Sequence, residues 1–465
     1  MTYYDVIVIG LGPAGMAVTA MGAALGLRVL AIEKNKVGGE CLNCGCIPSK
    51  ALLKAAQAYH DLGRLGSYGL DVQSTLQGMD PLLMVREKIA TINGKKLMKV
   101  FEKATVIDGE ARLDSPDSVR VNNRTYQGRR IFIATGTEPF LPPIPGLCEI
   151  PNVLTNTDMF EMEKIPQSLT IIGGGAIGTE MAQAFCRLGA KVNVVHMDPH
   201  LIPAADRDAA DLIEKVLVDE GVTVRNSVAI KQVEYKNGTV VVTAGDEVFK
   251  SERLLVAAGR APVVAELGLE TAGVEYTKQG VVVDQHMRTT TKNIYAVGDC
   301  NGQSLFSHAA MHQGMLALMD SLSPFRLSRL RRDRYVVPWA VFTEPEVAQV
   351  GLTEAEGKAK GLSVVRKEFK SYGRMVADGH PKGFIKVVLG KLGRIYGATV
   401  VGEGASDLIQ EWATVIQQRK GMVSVMMTQH TFPAVCVINK MVAEQWMMEK
   451  SSSPYVRGLI RFLLR

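Results

Sequence analysis

The sequence predicts an α/β chain in which one strand–loop–helix–strand unit occurs twice and a third, α+β domain follows. Three observations carry this. The first is Asp5-Val-Ile-Val-Ile-Gly-Leu-Gly-Pro-Ala-Gly15, a short apolar run closed by Gly10, Gly12 and Gly15. The second is Leu169-Thr-Ile-Ile-Gly-Gly-Gly-Ala-Ile-Gly178, whose Gly173, Gly175 and Gly178 each lie 163 positions beyond their counterparts. The third is an arginine-rich link, Arg326–Arg334, read as a solvated surface, after which a further α/β unit begins near Tyr335.

In the first unit the strand Tyr4–Ile9 runs into the glycines, an alanine-rich helix follows, and a second strand, Arg28–Ile32, ends at Glu33. Glycines so placed allow a tight turn, close approach of backbone to a pyrophosphate, and close packing of helix on sheet. The helix N-terminus offers N–H groups and positive dipole to phosphates, while an acid at the strand end takes ribose hydroxyls. Glycines alone would be weak evidence; strand, glycines, helix, strand and acid in order make a specific dinucleotide signature. In the second unit the strand Lys191–Val195 ends at His196, 163 positions beyond Glu33, so the acid is replaced. Two Rossmann-like units imply two nucleotides and electron transfer from one to the other. Between them, Val106–Val121 and Gly128–Ala134 alternate like strands around a turn at Asp114-Ser-Pro-Asp117.

At 465 residues the chain is long enough for two or three domains. Hydrophobic residues at 47%, charged residues at 22% and 45 glycines describe a soluble, glycine-rich globular protein. No apolar run is long enough to cross a bilayer. The chain opens straight into a strand, which argues against a secretory signal. A net charge of +6 is too mild to imply nucleic acid. Scattered Cys148, Cys186, Cys300 and Cys436 fit a reducing cytoplasm better than a disulfide framework.

These motifs resemble those of the pyridine nucleotide–disulfide oxidoreductase family, which includes glutathione reductase, dihydrolipoamide dehydrogenase and mercuric reductase, over nearly the whole chain. Ile131-Phe-Ile-Ala-Thr-Gly136 and Leu255-Val-Ala-Ala-Gly-Arg260 are similar to the family's two crossings between domains. Asn293-Ile-Tyr-Ala-Val-Gly-Asp299 is similar to its second flavin motif, and Val341-Phe-Thr-Glu-Pro-Glu-Val347 to the start of its dimerisation domain. The resemblance implies an FAD-binding domain at 1–150 that resumes at 276–334, an NAD(P)-binding domain at 151–275, a dimerisation domain at 335–450 and a homodimer. It assigns Gly10, Gly12, Gly15, Glu33, Gly39, Thr135, Gly136, Gly173, Gly175, Gly178, His196, Gly259, Arg260, Gly298 and Asp299 to the two cofactors, with Asp299 on the ribityl chain.

Residues 38 to 50 read GGECLNCGCIPSK, three cysteines within six positions. Family members separate their redox cysteines by four residues, which by resemblance selects Cys41 and Cys46: Cys46 as the thiolate facing the flavin, Cys41 as the thiol that attacks substrate. The resemblance also sets Lys50 near the flavin, paired with Glu180. Pro48 suits the first turn of a helix running through Leu62, whose positive end favours a thiolate at Cys46. Cys41 and Cys44 satisfy a CxxC spacing as well, so that pairing stays open. A structural metal fares poorly, since zinc takes four ligands and no second pair stands close by.

For the coenzyme, His196-Met-Asp198 contains no arginine, the third glycine, Gly178, leans toward NAD(H), and Asp198 is placed to replace the missing acid; a protonated His196 would equally meet the phosphate of NADP(H), so both stay open. Ala176 stands where glutathione reductase-like members place a tyrosine, which leaves the nicotinamide pocket open. Beyond Ser451-Ser-Ser-Pro454, arginines 457, 461 and 465 recur every four residues among apolar ones at 459, 460 and 462–464. This 451–465 tail reads as a basic amphipathic helix, docked on its own dimer or lying peripherally on an anionic membrane.

Near the C-terminus the chain departs from the family. Disulfide-reducing members carry a histidine before a proline and a glutamate four residues after it, as acid–base pair; here Phe432 precedes Pro433 and Val437 stands at the glutamate position. His430 is three residues before the proline, either a packing residue or a recruited base. Mercuric reductase-like relatives also carry an aromatic there. The expectation is an FAD-dependent NAD(P)H oxidoreductase, related to dihydrolipoamide dehydrogenase and mercuric reductase, with an atypical small-molecule or protein-bound acceptor. Two alternatives stand beside it: a dihydrolipoamide dehydrogenase that uses His430, and a membrane-associated electron-transfer partner.

Overall fold

The computed structural model describes residues 3–70, 80–92, 99, 101–325, 327–452 and 454–463; the side chains of 455, 456 and 458–460 and the expected arginines at 326 and 465 lie outside the described set. The chain forms two compact units, one from Met1–Ala55, Thr75–Gly173 and Ile230–Tyr335, the other from Ala56–Ser74, Gly174–Ala229 and Val336–Arg465.

The first unit is organised by a sheet whose centre is the strand Tyr3–Ile9, paired in parallel with Val29–Glu33 on one side and Arg124–Ile133 on the other. Thr105–Asp108 extends it in parallel beyond Val29–Glu33. Arg124–Ile133 is long enough to serve two partners: its first residues pair antiparallel with Ser118–Val121, its last pair in parallel with Ile294–Ala296. Both faces are covered, so the strands read as continuous apolar runs. Alternation then splits them: Ile7, Ile9, Leu30, Ile131 and Ile133 enter one core, Val6, Val8, Val29 and Phe132 the other. On the second face the helix Pro13–Ala24 meets the helix Ser307–Leu322 so closely that a Cβ on Gly314 would sit 2.6 Å from the Ala14 carbonyl. The unit also holds an antiparallel trio, Ile230–Lys236, Thr239–Ala244 and Glu247–Ser251, and the parallel pair Ser168–Ile172 and Arg253–Val256.

The second unit contains the helix Ala176–Arg187, the strand Lys191–Val195 in parallel with Thr223–Arg225, and the helix Arg207–Asp219. Its remainder is a five-stranded antiparallel sheet in the order Trp339–Val341, Glu346–Gly351, Ile395–Gly402, Phe384–Leu389, Ser363–Glu368. The helices Ala405–Gln417 and Val437–Ser451 bury Ile409, Trp412, Ile438 and Val442 in the core of that sheet. The expected strand Lys191–Val195 is observed with those bounds, whereas Arg28–Ile32 is displaced by one residue to Val29–Glu33.

Lys386 projects from the middle of the sheet with a side chain 3% exposed, and its ammonium lies 2.6 Å from Asp208, 2.7 Å from Glu354 and 3.2 Å from Asp206. Asp206 also accepts the Thr399 hydroxyl at 2.7 Å and the Glu354 N–H at 2.8 Å, so one cation holds the N-terminal ends of the helices Arg207–Asp219 and Glu354–Ala359. Removing one partner of a buried ion cluster leaves the others uncompensated, so Lys386→Ala should lower unfolding stability by about 3 kcal/mol. Denaturant titration measures it, and a loss below about 1 kcal/mol would place the cluster with ordinary surface pairs.

Candidate active site

The cysteine stretch folds as two consecutive helix starts. Gly39–Asn43 makes a short turn of helix bearing Cys41, the chain breaks at Cys44, and Cys46 opens the helix Cys46–Leu62, with Pro48 in its first turn, where a missing N–H loses no bond. Asn43 Nδ2 ties the corner by donating to the carbonyls of Val37 at 3.1 Å and Gly39 at 2.8 Å. The Cys41 and Cys46 thiols are hydrogen-bonded to each other; that contact first, and burial second, raises the Cys41 thiol far above its ordinary value. Burial, with Glu40 adding to it against the pull of Arg260, pushes the Cys44 thiol up to about 12. Among the described residues no group of three or more His, Cys, Asp or Glu is placed to hold a metal ion.

A residue that the sequence reading missed completes this site. The Ser307 hydroxyl lies 3.3 Å from Cys46 Sγ, and the same hydroxyl pulls the Cys41 thiol downward against the other influences. Ser307 is the first residue of the helix Ser307–Leu322, so two helix N-termini meet at Cys46. Positive helix ends and a hydroxyl donor are what stabilise a thiolate.

Arg260 is spent on the same corner. Its guanidinium grips Glu40 and donates to Thr137 Oγ1 at 2.7 Å, the Thr137 carbonyl at 2.9 Å and Asn156 Oδ1 at 3.2 Å. Asn156 Nδ2 donates to Glu40 at 3.0 Å, closing the ring. Glu40 precedes Cys41, so this clamp fixes the turn that carries the first thiol.

The remaining residues of the first unit fit a flavin dinucleotide. Glu33, 9% exposed, accepts the Leu11 N–H at 2.6 Å and the Asn35 N–H at 2.9 Å, which leaves lone pairs for ribose hydroxyls. Gly10 has φ +96°, and a Cβ there would lie 2.5 Å from the Ala134 carbonyl. A Cβ on Gly12 would meet nothing within 4 Å, the open backbone a phosphate needs. Gly15 admits no Cβ either, and a Cβ on Gly39 would meet Gly12 Cα at 2.8 Å. Thr135 Oγ1 donates to the Val263 carbonyl at 2.7 Å and so holds the loop in which Gly136, at φ +67°, faces open space. Gly298 N–H donates to Gln313 Oε1 at 2.9 Å and orients Asp299. Burial raises the Asp299 carboxyl to about 6, against the pull of Arg260 and Thr137.

Gly173 closes its strand with φ +109° against the Ala257 carbonyl, and Gly259, at φ +129°, faces open space. In the second unit, Gly175 precedes the helix Ala176–Arg187, which buries Gly178 and Glu180. Glu180 accepts the Phe342 N–H at 3.0 Å; Lys50 is half-buried on the helix Cys46–Leu62. His196 is buried at the end of its strand, and its Nδ1 accepts the Gly174 N–H at 3.0 Å. His430, its side chain 5% exposed, has Nε2 at 3.0 Å from Glu411 and Nδ1 at 3.1 Å from the Thr428 carbonyl. Glu411 is itself held by Asn439 Nδ2 at 2.9 Å, and Asn439 accepts the Trp412 indole N–H at 2.8 Å. Phe432 is 77% exposed. The tail forms the helix Pro454–Leu463 with Arg457, Arg461, Phe462 and Leu463 exposed.

Residues 4–314 match the pyridine nucleotide-disulphide oxidoreductase family, and residues 337–441 match its dimerisation domain. The chain is 35% identical over 448 residues to a dihydrolipoyl dehydrogenase of Thermus scotoductus, covering 94% of this chain and 95% of that protein. It is 35% identical over 428 residues to a mercuric reductase of Acidithiobacillus ferrooxidans, covering 89% of this chain and 77% of that one. Among solved structures, the Cu(II) complex of the HOCl-induced flavoprotein disulfide reductase RclA from Escherichia coli aligns with a TM-score of 0.86 at 28% identity, over 96% of this chain and 100% of that chain.

The Ser307 contact generates a test. A hydrogen bond to a charged group is worth about 1.5–3 kcal/mol. Losing a donor to the charged form raises a thiol's pKa, so Ser307→Ala should move the first thiol ionisation of the reduced protein upward by about one unit or more. Thiolate ultraviolet absorbance against pH measures it; an unchanged or lowered midpoint would contradict the geometry.

Proposed function

The chain belongs to the pyridine nucleotide–disulphide oxidoreductase family, as an NAD(P)H-dependent flavoprotein disulfide oxidoreductase of the lipoamide dehydrogenase and mercuric reductase type, and we propose that its acceptor is a thiol-seeking metal ion. Cys41 and Cys46 are the exchanging pair in this reading, with Lys50 and Glu180 as the ion pair beside the flavin. When bound, FAD relays two electrons from NAD(P)H to the disulfide.

The disulfide takes up two electrons and one proton, which leaves a Cys41 thiol and a Cys46 thiolate. Ser307 and the two helix ends hold the negative sulfur. Cys41 is left to meet the acceptor. Re-forming the disulfide delivers two electrons and releases the Cys41 proton, with one Hg(II) taking both electrons or two Cu(II) taking one each. Neither ion has to be protonated. A disulfide acceptor instead leaves as thiolates that need protons, and there a histidine acid is worth about 10²–10⁴-fold in rate.

The observation that carries this reading is the engagement of His430, whose Nε2 faces both carboxylate oxygens of Glu411 and whose Nδ1 faces the Thr428 carbonyl, so that neither ring nitrogen is left over to exchange a proton with an acceptor. With Phe432 before Pro433 and Val437 in place of an acid, no other histidine stands near that turn in the sequence. The mercuric reductase relatives and the Cu(II)-bound neighbour support the same choice of acceptor. The dimerisation domain makes the enzyme a homodimer.

A second reading rests on the exposed Arg457, Arg461, Phe462 and Leu463 of the terminal helix, which together suit the surface of an anionic membrane. Among the described residues no helix is long and apolar enough to cross a membrane. Removing residues 452–465 should then abolish co-sedimentation with anionic vesicles, and unchanged binding would end this reading.

Steady-state turnover with NAD(P)H tests the acceptor. Hg(II) or Cu(II) should exceed lipoamide and glutathione disulfide in kcat/KM by about 10²-fold or more. Cys41→Ser and Cys46→Ser should each abolish turnover, and Cys44→Ser should spare it. Efficient lipoamide reduction that collapses in His430→Ala would assign the base role to His430 and overturn the proposal.

A further inference from the structure

The acid at the end of the second strand of the flavin unit does more than await a ribose. Through its bond from the Leu11 N–H it pins the glycine turn. His196 does the same in the other unit: its Nδ1 accepts from Gly174, and positions 174 and 196 lie 163 beyond 11 and 33. That bond fixes the tautomer. A ring nitrogen that accepts carries no proton, so the neutral ring keeps its proton on Nε2. Nε2 is buried and, among the described residues, has no hydrogen-bond partner; Asp198 Oδ2 lies 3.3 Å away. His196 is 7% exposed and the Asp198 side chain 55% exposed, so a buried donor and a rim acceptor stand side by side.

We propose that His196 Nε2–H and the Asp198 carboxylate together bind the adenosine ribose of the coenzyme as a free diol, and that this divided pair selects NAD(H) over NADP(H). The proposal rests on the second unit being the coenzyme site. A ribose diol offers an oxygen to the N–H and a hydroxyl to the carboxylate. A 2′-phosphate instead brings about two negative charges beside Asp198.

Among the described residues, the charged groups that act most on the ring do not compensate that charge. The groups facing it are Asp198 and His200 from its own loop and Glu214 from the helix Arg207–Asp219, and burial holds its pKa below the ordinary value against the upward pull of Asp198. Protonation at Nδ1 would also turn an acceptor toward the Gly174 N–H into a donor. On the neighbouring strand, Arg225 accepts the His196 N–H through its carbonyl at 2.8 Å and turns its guanidinium onto the Val224 carbonyl at 2.9 Å. Arg207, the first arginine after the turn, is exposed and paired with Asp211 at 2.7 Å.

Calorimetry on the oxidised, FAD-loaded enzyme separates binding from turnover, using NAD⁺, NADP⁺, ADP-ribose and 2′-phospho-ADP-ribose. The non-phosphorylated member of each pair should bind about tenfold tighter or more, between about pH 6 and 8. Asp198→Arg, a rim change that leaves the buried ring alone, should reverse the order. His196→Glu should keep the preference for NAD⁺, since a carboxylate can repeat the Glu33 contact. Equal or tighter wild-type binding of the phosphorylated ligands, or an unchanged ratio in Asp198→Arg, overturns the selection role and leaves the coenzyme site standing. Failure of all four ligands to bind would overturn the coenzyme site itself and the selection role with it.

Discussion

The proposed function requires a negative sulfur at position 46 to be stable in a half-buried place, and the contacts around that position suit the requirement. Two helices begin there, at Cys46 and at Ser307, and their N–H ends and the Ser307 hydroxyl replace the water a thiolate would otherwise need. The helix Ser307–Leu322 can reach the site because Gly314 lets it lie almost in contact with the backbone of the helix Pro13–Ala24. The clamp of Arg260 on Glu40, Thr137 and Asn156 fixes the turn that leads into Cys41. The arrangement has a local cost. Asp299 lies close enough to Cys46 and Glu40 for both to raise it, beyond the larger effect of burial, to about 6 from 3.8. An acid raised in the folded state contributes stability below its unfolded value and loses it as pH rises through about 6.

The two glycine turns show one constraint met with two chemistries. Each turn leaves a backbone N–H that the side chain at the end of the next strand accepts: Leu11 to Glu33, Gly174 to His196. Either side chain can perform that bond. They differ in what remains for the ligand, a carboxylate in one case and an N–H donor in the other, so a structural tie and a recognition role diverge at the same repeat position.

Local pattern made much of this legible. Lys191–Val195 is an apolar run stopped by a polar residue and keeps the expected bounds, whereas the first strand, Tyr3–Ile9, ends at the expected glycine turn but starts one residue earlier than expected. The strand before Glu33 shifts by one because both of its faces are buried and the pattern has no alternation to anchor the register. The cysteine helix was legible from Pro48. Ser307 was not, since it lies 261 positions from Cys46 and serine at a helix start is commonplace. Neither the commitment of Arg260 to Glu40, 220 positions away, nor the tautomer of His196 is a property of any local window. Lys386 reads as the polar member of an apolar strand, and its three acidic partners come from the N-terminal ends of two distant helices. Contacts of this kind depend on which loops the fold brings together.

The electron exit is most directly tested by mapping thiols during an anaerobic NADH titration of the oxidised holoenzyme, with differential alkylation read by mass spectrometry. The account predicts that Cys41 and Cys46 pass together from a linked peptide to two labelled thiols, in step with reducing equivalents, while Cys44 stays labelled throughout. A linked Cys41–Cys44 peptide in the oxidised enzyme, or labelling of Cys46 that does not change on reduction, would contradict it.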